Sequence, residues 1–153
     1  LEAKMHEEKT KTVAVLQGEA FSFLGFDFRR VLNRRGQHYL LLSPRKKARL
    51  KIKAKIREIM RRSGSKPLPA IIRELNAAVQ GWVQYFRVGN TNRAFCEVRD
   101  YLEMKVRILL TRRKRKRKLS IGWERWSNEY LYGVLKLYWG WKLEPLESAD
   151  AYA

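Results

Sequence analysis

Ser43-Pro44-Arg45-Lys46-Lys47-Ala48-Arg49-Leu50-Lys51-Ile52-Lys53-Ala54-Lys55-Ile56-Arg57-Glu58-Ile59-Met60-Arg61-Arg62 reads as one amphipathic helix. Ala48, Ile52, Ile56, Ile59 and Met60 recur at helical spacing, which predicts a single buried stripe. Ser43-Pro44 is a start signal, because serine caps free amides and proline is tolerated at the first helical position. Ser63-Gly64-Ser65-Lys66-Pro67 stops the helix. Ten Lys and Arg side chains fill the remaining surface, opposed by Glu58 alone. A helix supporting itself would intersperse acids for i,i+4 pairs, whereas these cations repel one another unless a polyanion neutralises them. The bland alternative is a solvated charged face, and the near-pure sign favours phosphate contact.

Two more helices follow. From about Pro69 to Phe86, Ile72, Leu75, Val79, Trp82, Val83 and Phe86 share a face, and Gly89-Asn90 closes the segment. From about Thr91, Phe95, Val98, Leu102, Val106 and Leu109 repeat the pattern, so a three-helix bundle is expected. Gly81 in mid-helix is expected to admit a close neighbour, with Trp82 beside it in the core. Upstream, Phe21 to Phe28 reads as a strand with a change of phase at Gly25, the mark of a bulge or close backbone approach. Asn33-Arg34-Arg35-Gly36 is a turn signal leading to a second strand, Gln37 to Leu42, which gives a β-hairpin. Thr10 to Leu16 is a further β-branched run. The fold class is α+β, mainly α: an N-terminal β-hairpin, a three-helix bundle and a C-terminal helical segment, in units of 1–42, 43–111, 112–147 and a tail at 148–153.

The composition bounds the function. The chain has 153 residues and a formal net charge of +19, with 45% apolar and 12% aromatic residues, so it can bury a real core and is no disordered basic tail. Such an excess of positive charge calls for a polyanion, with nucleic acid ahead of anionic lipid. One cysteine, Cys96, and two histidines, His6 and His38, are too few and too scattered for a zinc pattern or an internal disulfide. No apolar run approaches the eighteen or so residues of a membrane span, and Leu1-Glu2-Ala3-Lys4 is no secretory signal. The expectation is an intracellular, cytoplasmic protein without membrane contact, and the missing initial Met suggests a piece of a longer chain.

Arg112, Arg113, Lys114, Arg115, Lys116, Arg117 and Lys118 form an unbroken basic run between two structured segments, a strap suited to a phosphate backbone; a solubilising or targeting tract is the alternative. After it come Trp123, Trp126, Tyr130, Tyr132, Tyr138, Trp139 and Trp141. Their fates are core packing, favoured by the helical spacing of Trp123, Trp126 and Tyr130, or stacking on unpaired bases. Catalysis finds little support. Two-metal chemistry needs paired carboxylates, and no Asp-Asp, Asp-x-Asp or Glu-x-Asp cluster occurs. Glu7-Glu8 lies in a polar stretch, Asp100 and Glu103 read as a salt-bridge face, and His38 reads as a packed or exposed histidine on a strand. Neither a phosphate-binding glycine loop nor a serine or cysteine triad signature is present.

The order of these features resembles the C-terminal part of group II intron-encoded reverse transcriptases, or maturases. Glu8-Lys9-Thr10-Lys11 and Phe23-Leu24-Gly25-Phe26 resemble the last reverse-transcriptase block, where palm passes into thumb. Residues 43–110 resemble the maturase-specific domain X, the thumb, most specifically through Leu75-Asn76 and Gln80-Gly81-Trp82-Val83-Gln84-Tyr85-Phe86, with Phe95, Tyr101 and Leu102 following in place. The likeness covers about residues 6–140. It implies a parent protein that copies RNA into DNA, assists splicing of its own intron RNA and supports intron mobility into target DNA. Arg45, Lys46, Lys47, Arg49 and Lys53 would then contact phosphates of intron RNA or template–primer duplex, and Arg112 to Lys118 would open the DNA-binding region. The palm's Tyr-Ala-Asp-Asp metal motif, the fingers and the paired-cysteine endonuclease are missing. The implied Mg²⁺ therefore belongs to the absent palm, no cofactor is expected here, and the chain alone should not polymerise. The remaining palm and fingers become expected partners. A general basic module for DNA or RNA is the alternative reading.

Overall fold

Three helices form where the apolar spacing places them: α1 spans Lys46–Arg61, α2 Leu68–Tyr85 and α3 Asn92–Arg113. They are seen in a computed structural model that describes residues 20–114 and 125–142. Helix α1 turns Ile52, Ile56 and Ile59 inward against α2 and α3. Helix α2 contributes Ile71, Ile72, Leu75, Val79 and Val83, and α3 contributes Phe95, Val98, Leu102, Val106 and Leu110. All belong to one core. Each fully buried side chain of this size contributes about 1.5–3 kcal/mol relative to exposure, so the stripe on α1 alone holds the helix in place despite its self-repelling outer face.

The N-terminal region is a three-stranded antiparallel sheet in the order β1 (Phe21–Phe23), β2 (Phe26–Leu32), β3 (His38–Pro44). The β2–β3 hairpin turns at Asn33–Gly36 as expected. There the Asn33 side-chain oxygen accepts the amides of Arg35 and Gln37, each at 2.9 Å, and Gly36 takes the positive φ that the turn demands. The expected single strand from Phe21 to Phe28 is corrected to two strands. Phe23 pairs with Phe26, which leaves Leu24 and Gly25 as a two-residue turn, both at positive φ (48° and 85°). A turn with two left-handed residues matches the twist of its strands, and a bulge is not needed to explain the change of face. A leucine in that conformation is costly, and here the turn is over-determined. The Leu24 carbonyl accepts from the Tyr85 hydroxyl at 2.9 Å and the Gly25 carbonyl from the Arg45 amide at 2.8 Å.

Ser43-Pro44 is also corrected. Both residues end β3, facing Asp27 and Phe26, and α1 begins two residues later behind an extended Arg45. Proline at the last position of a strand forfeits no ladder bond that the sheet requires, so it serves here as a strand terminator. The sheet seats on the bundle through Phe26, whose ring lies 4.9 Å from that of Phe86. Gly89 completes the joint: its φ is +85° and an added Cβ would lie 2.7 Å from Leu42 Cβ, while the Asn90 amide donates to the Leu42 carbonyl at 2.9 Å. Gly81, in contrast, is exposed, and a Cβ added there would meet nothing within 4 Å, so the expected close neighbour is absent among the described residues.

Residues 125–142 fold back onto the helices. Trp126, Leu131, Leu137 and Trp141 enter the same core as α1–α3. The expected C-terminal helical segment is built around a π-helical turn, Tyr130–Val134, closed by the Leu135 amide on the Tyr130 carbonyl at 3.0 Å. Asn76 clamps the stretch that follows. Its Nδ2 donates to the Lys136 carbonyl at 2.7 Å, and its Oδ1 accepts the Tyr138 amide at 2.8 Å. Residues Thr10–Leu16, Glu7-Glu8, Trp123 and the 148–153 tail lie outside the described residues.

Candidate nucleic-acid interface

Because α1 buries one stripe, its other faces divide by neighbour. Arg49 and Lys53, one turn apart, face α3 and both donate to Glu97, Lys53 at 2.6 Å and Arg49 through a short contact to the other carboxylate oxygen. The Lys53 hydrogen bond, aided by Arg49, holds the Glu97 carboxyl below the usual range against the opposing effect of its partial burial. These two expected phosphate contacts are therefore engaged in the helix–helix joint. Arg45 lies 3.5 Å from Asp27. Lys46, Lys47, Lys51 and Arg57 are exposed, with no acidic partner among the described residues; Arg61 is exposed too and makes no ion-pair contact, though its charge helps to lower the Glu58 carboxyl. Glu58, the helix's own acid, is taken by Lys55 (3.3 Å) and Arg62 (2.6 Å), which keep its carboxyl below the usual range.

Between α1, α2 and the β1–β2 turn lies an open groove of about 780 Å³, rimmed by Lys47, Lys51 and Lys55 over a floor that includes Ala48, Ile52 and Trp82. Lysines at i, i+4 and i+8 lie along one side of the helix and shift gradually around it; Lys47 and Lys51 are the open rungs, because Lys55 is paired with Glu58, which lines the same groove.

The basic run begins as the last turn of α3. Arg112 is exposed, and Arg113 reaches across to the α1–α2 connection, donating to the Ser63 carbonyl at 3.1 Å and, in a shorter contact, to the Lys66 carbonyl. Lys114 ends the helix with its ammonium 5.9 Å from the Trp126 ring. Arg115, Lys116, Arg117 and Lys118 lie outside the described residues. Of the C-terminal aromatics, Trp126 and Trp141 are both 7% exposed and serve the core, whereas Trp139 is 78% exposed.

Asp100 pairs on the surface with Arg99 at 3.0 Å, but Glu103 departs from the expected salt-bridge face. It is buried, bound to the buried Arg107 at 3.1 Å and to the Tyr132 hydroxyl at 2.5 Å. Arg107 also donates to the Trp126 carbonyl at 2.9 Å and to Asn128 through a shorter contact. Burial and the bonded Glu103 carboxylate push the Tyr132 hydroxyl far above its ordinary pKa, so it remains a donor. This network ties 126–132 to α3. Neither it nor Glu97 was visible as a unit in the sequence; the available signal was an acid set beside an apolar stripe, at Glu97 next to Val98 and Glu103 next to Leu102.

His38 is exposed on β3 and Cys96 is exposed on α3. Among the described residues no group of three His, Cys, Asp or Glu side chains could hold a metal ion, and no helix is long and apolar enough to cross a membrane.

Residues 49–131 match the model of the group II intron maturase-specific domain, more than half of the chain. The chain belongs to that family. Among curated proteins no match is found. The matched span includes most of α1, all of α2 and α3, and the Glu103–Arg107 pair with Trp126 and Asn128; Lys46 and Lys47 precede it and Tyr132 follows it.

Proposed function

We propose that this chain is the thumb and maturase portion of a group II intron-encoded reverse transcriptase, binding its intron RNA to assist splicing and gripping template–primer duplex during RNA-directed DNA synthesis. The observation that supports this reading is the outer face of α1, where Lys46, Lys47 and Lys51 stand exposed without an acid beside them among the described residues. Such a face attracts phosphates and reads no base sequence, so discrimination comes from the shape of the folded RNA. The Mg²⁺ chemistry of DNA synthesis is assigned to palm carboxylates that the sequence lacks, and this chain contributes grip. Its place of action is with nucleic acid in the cytoplasm, at the intron RNA and the target DNA.

The test is a binding titration against a structured group II intron RNA and a length-matched duplex DNA at several salt concentrations. Neutralising six to ten phosphates predicts a loss of about 10³–10⁵-fold in affinity between about 50 and 200 mM salt. RNA preference that survives at the higher salt supports the maturase reading. Equal binding to both polymers leaves a general basic module, and binding that is flat across the salt range overturns the electrostatic account. Adding a palm and fingers segment in trans should restore cDNA synthesis if the chain is a polymerase thumb.

A further inference from the structure

The C-terminal ends of α1 and α3 enclose a cleft of about 510 Å³ that brings together cations nearly fifty residues apart in sequence. Arg57 and Arg61, one turn apart on α1, line one wall; Lys105 and Arg112, two turns apart on α3, line the other; Met60 and Leu109 form the floor. Among the described residues no acidic side chain lines it. Glu58 is occupied by Lys55 and Arg62, and Glu97, which neutralises Arg49 and Lys53, is not among the lining residues. Lys105 rests over the Tyr101 ring, 5.3 Å from its centroid, which orients the ammonium and leaves its charge in place. Arg57, Arg61 and Arg112 are exposed and can rotate toward a ligand. The cleft is also braced, because Arg113 pins the end of α3 to the Ser63 and Lys66 carbonyls of the α1–α2 connection.

Five cations line the cleft; Arg113 is held by backbone carbonyls, Arg61 is offset only by the charge of nearby Glu58, and the remaining excess of positive charge raises the free energy of the folded chain unless an anion enters. Guanidinium forks match phosphate oxygens bidentately, and walls on two helices suit a row of phosphates better than a single small anion. We propose that this cleft seats consecutive phosphates of one RNA strand, as a second grip distinct from the Lys46, Lys47 and Lys51 face. The inference rests on the RNA-binding reading and adds a defined track to it, one whose end is marked by Arg112.

The test compares the intact chain with a quadruple variant, Arg57→Gln, Arg61→Gln, Lys105→Gln and Arg112→Gln, and with a control that removes the exposed turn cations, Arg34→Gln and Arg35→Gln. The probe is a stable RNA hairpin. The slope of log affinity against log salt should become shallower by roughly 3 in the cleft variant, at about 0.7–0.9 for each of the four lost phosphate contacts, and change little in the control. A cleft variant that matches the control overturns the proposal while the wild-type salt dependence still supports RNA binding; a wild-type chain with flat salt dependence overturns both. Independently of any variant, bound hairpin should protect Lys105 of the intact chain from acetylation by an N-hydroxysuccinimide ester. Unchanged modification of Lys105 at saturating RNA refutes the cleft as the seat.

Discussion

Replacing Arg107 by leucine should be among the most damaging single changes in this chain, and its size follows from what the guanidinium holds. Arg107 is 4% exposed and Glu103 5%, so neither charge can turn to water. Without Arg107, Glu103 Oε2 loses its donor at 3.1 Å, the Trp126 carbonyl loses its partner at 2.9 Å, and Asn128 is released. The carboxylate retains only the Tyr132 hydroxyl and an Arg99 nitrogen at 3.8 Å among the described residues. Breaking a buried ion pair from one side costs about 3–5 kcal/mol, a large share of the roughly 5–15 kcal/mol that stabilises a domain. For a chain of this length that is a fall in Tm of roughly 6–20 °C. Urea unfolding followed by tryptophan fluorescence and by circular dichroism measures it, with coincident transitions as the check on two-state behaviour. The triple variant Glu103→Leu, Arg107→Leu and Tyr132→Phe, which removes both charges and the hydroxyl together, should recover much of the loss, because an apolar replacement strands no charge. A single variant that costs less than about 1 kcal/mol would place the pair with surface ion pairs and refute this reasoning.

Other perturbations give smaller, directed effects. Glu97→Gln should free Arg49 and Lys53 for phosphate, steepening the salt dependence of RNA binding by up to about 2, while lowering stability by no more than about 1 kcal/mol because the site is partly open to solvent. Because its folded pKa is depressed, Glu97 stabilises fully above the unfolded carboxyl pKa of about 4.3 and progressively less as pH falls through the lower folded value. The stability gap between wild type and Glu97→Gln, read from urea midpoints, should therefore close in that acid window; a gap that widens with acid contradicts the assignment. Gly81→Ala should be neutral or stabilising by up to about 1 kcal/mol, since the site is exposed and helical. Gly89→Ala should be destabilising, because it adds left-handed strain to a 2.7 Å approach to Leu42, and thermal melts of the two variants should shift in opposite directions.

The helices were legible because their apolar stripes are long and regular, and because Gly89-Asn90 and Ser63–Pro67 punctuate them unambiguously. The sheet was less so. Leucine at Leu24 is a poor marker of a left-handed turn, which made Phe21 to Phe28 look continuous, and Ser43-Pro44 fits a helix start and a strand end equally well. The candidate site was half legible. Charge count alone marked α1, but which of its cations remain available depends on how α1 crosses α3, and that crossing brings Glu97 to Arg49 and Lys53 and leaves Arg57 and Arg61 facing Lys105 and Arg112. Periodicity carries no information on such pairings across fifty residues. The buried Glu103–Arg107 pair was hidden for a related reason: an i,i+4 acid–base pair looks the same in sequence whether it faces water or a third segment.

The two turns of the sheet are built to opposite standards of tolerance. The Asn33–Gly36 turn satisfies itself through the Asn33 side chain, and a Cβ added at Gly36 would meet nothing within 4 Å. The Leu24-Gly25 turn instead hands both of its carbonyls to the bundle, one to Tyr85 and one to the start of α1. A peptide tag or fluorescent label spliced between Arg34 and Arg35 would extend into solvent and leave the docking of the sheet undisturbed. The same insertion between Leu24 and Gly25 would break both carbonyl bonds and leave the sheet held by Phe26 against Phe86 and Leu42 against Gly89, which makes the first turn part of the joint of the molecule and the second its handle.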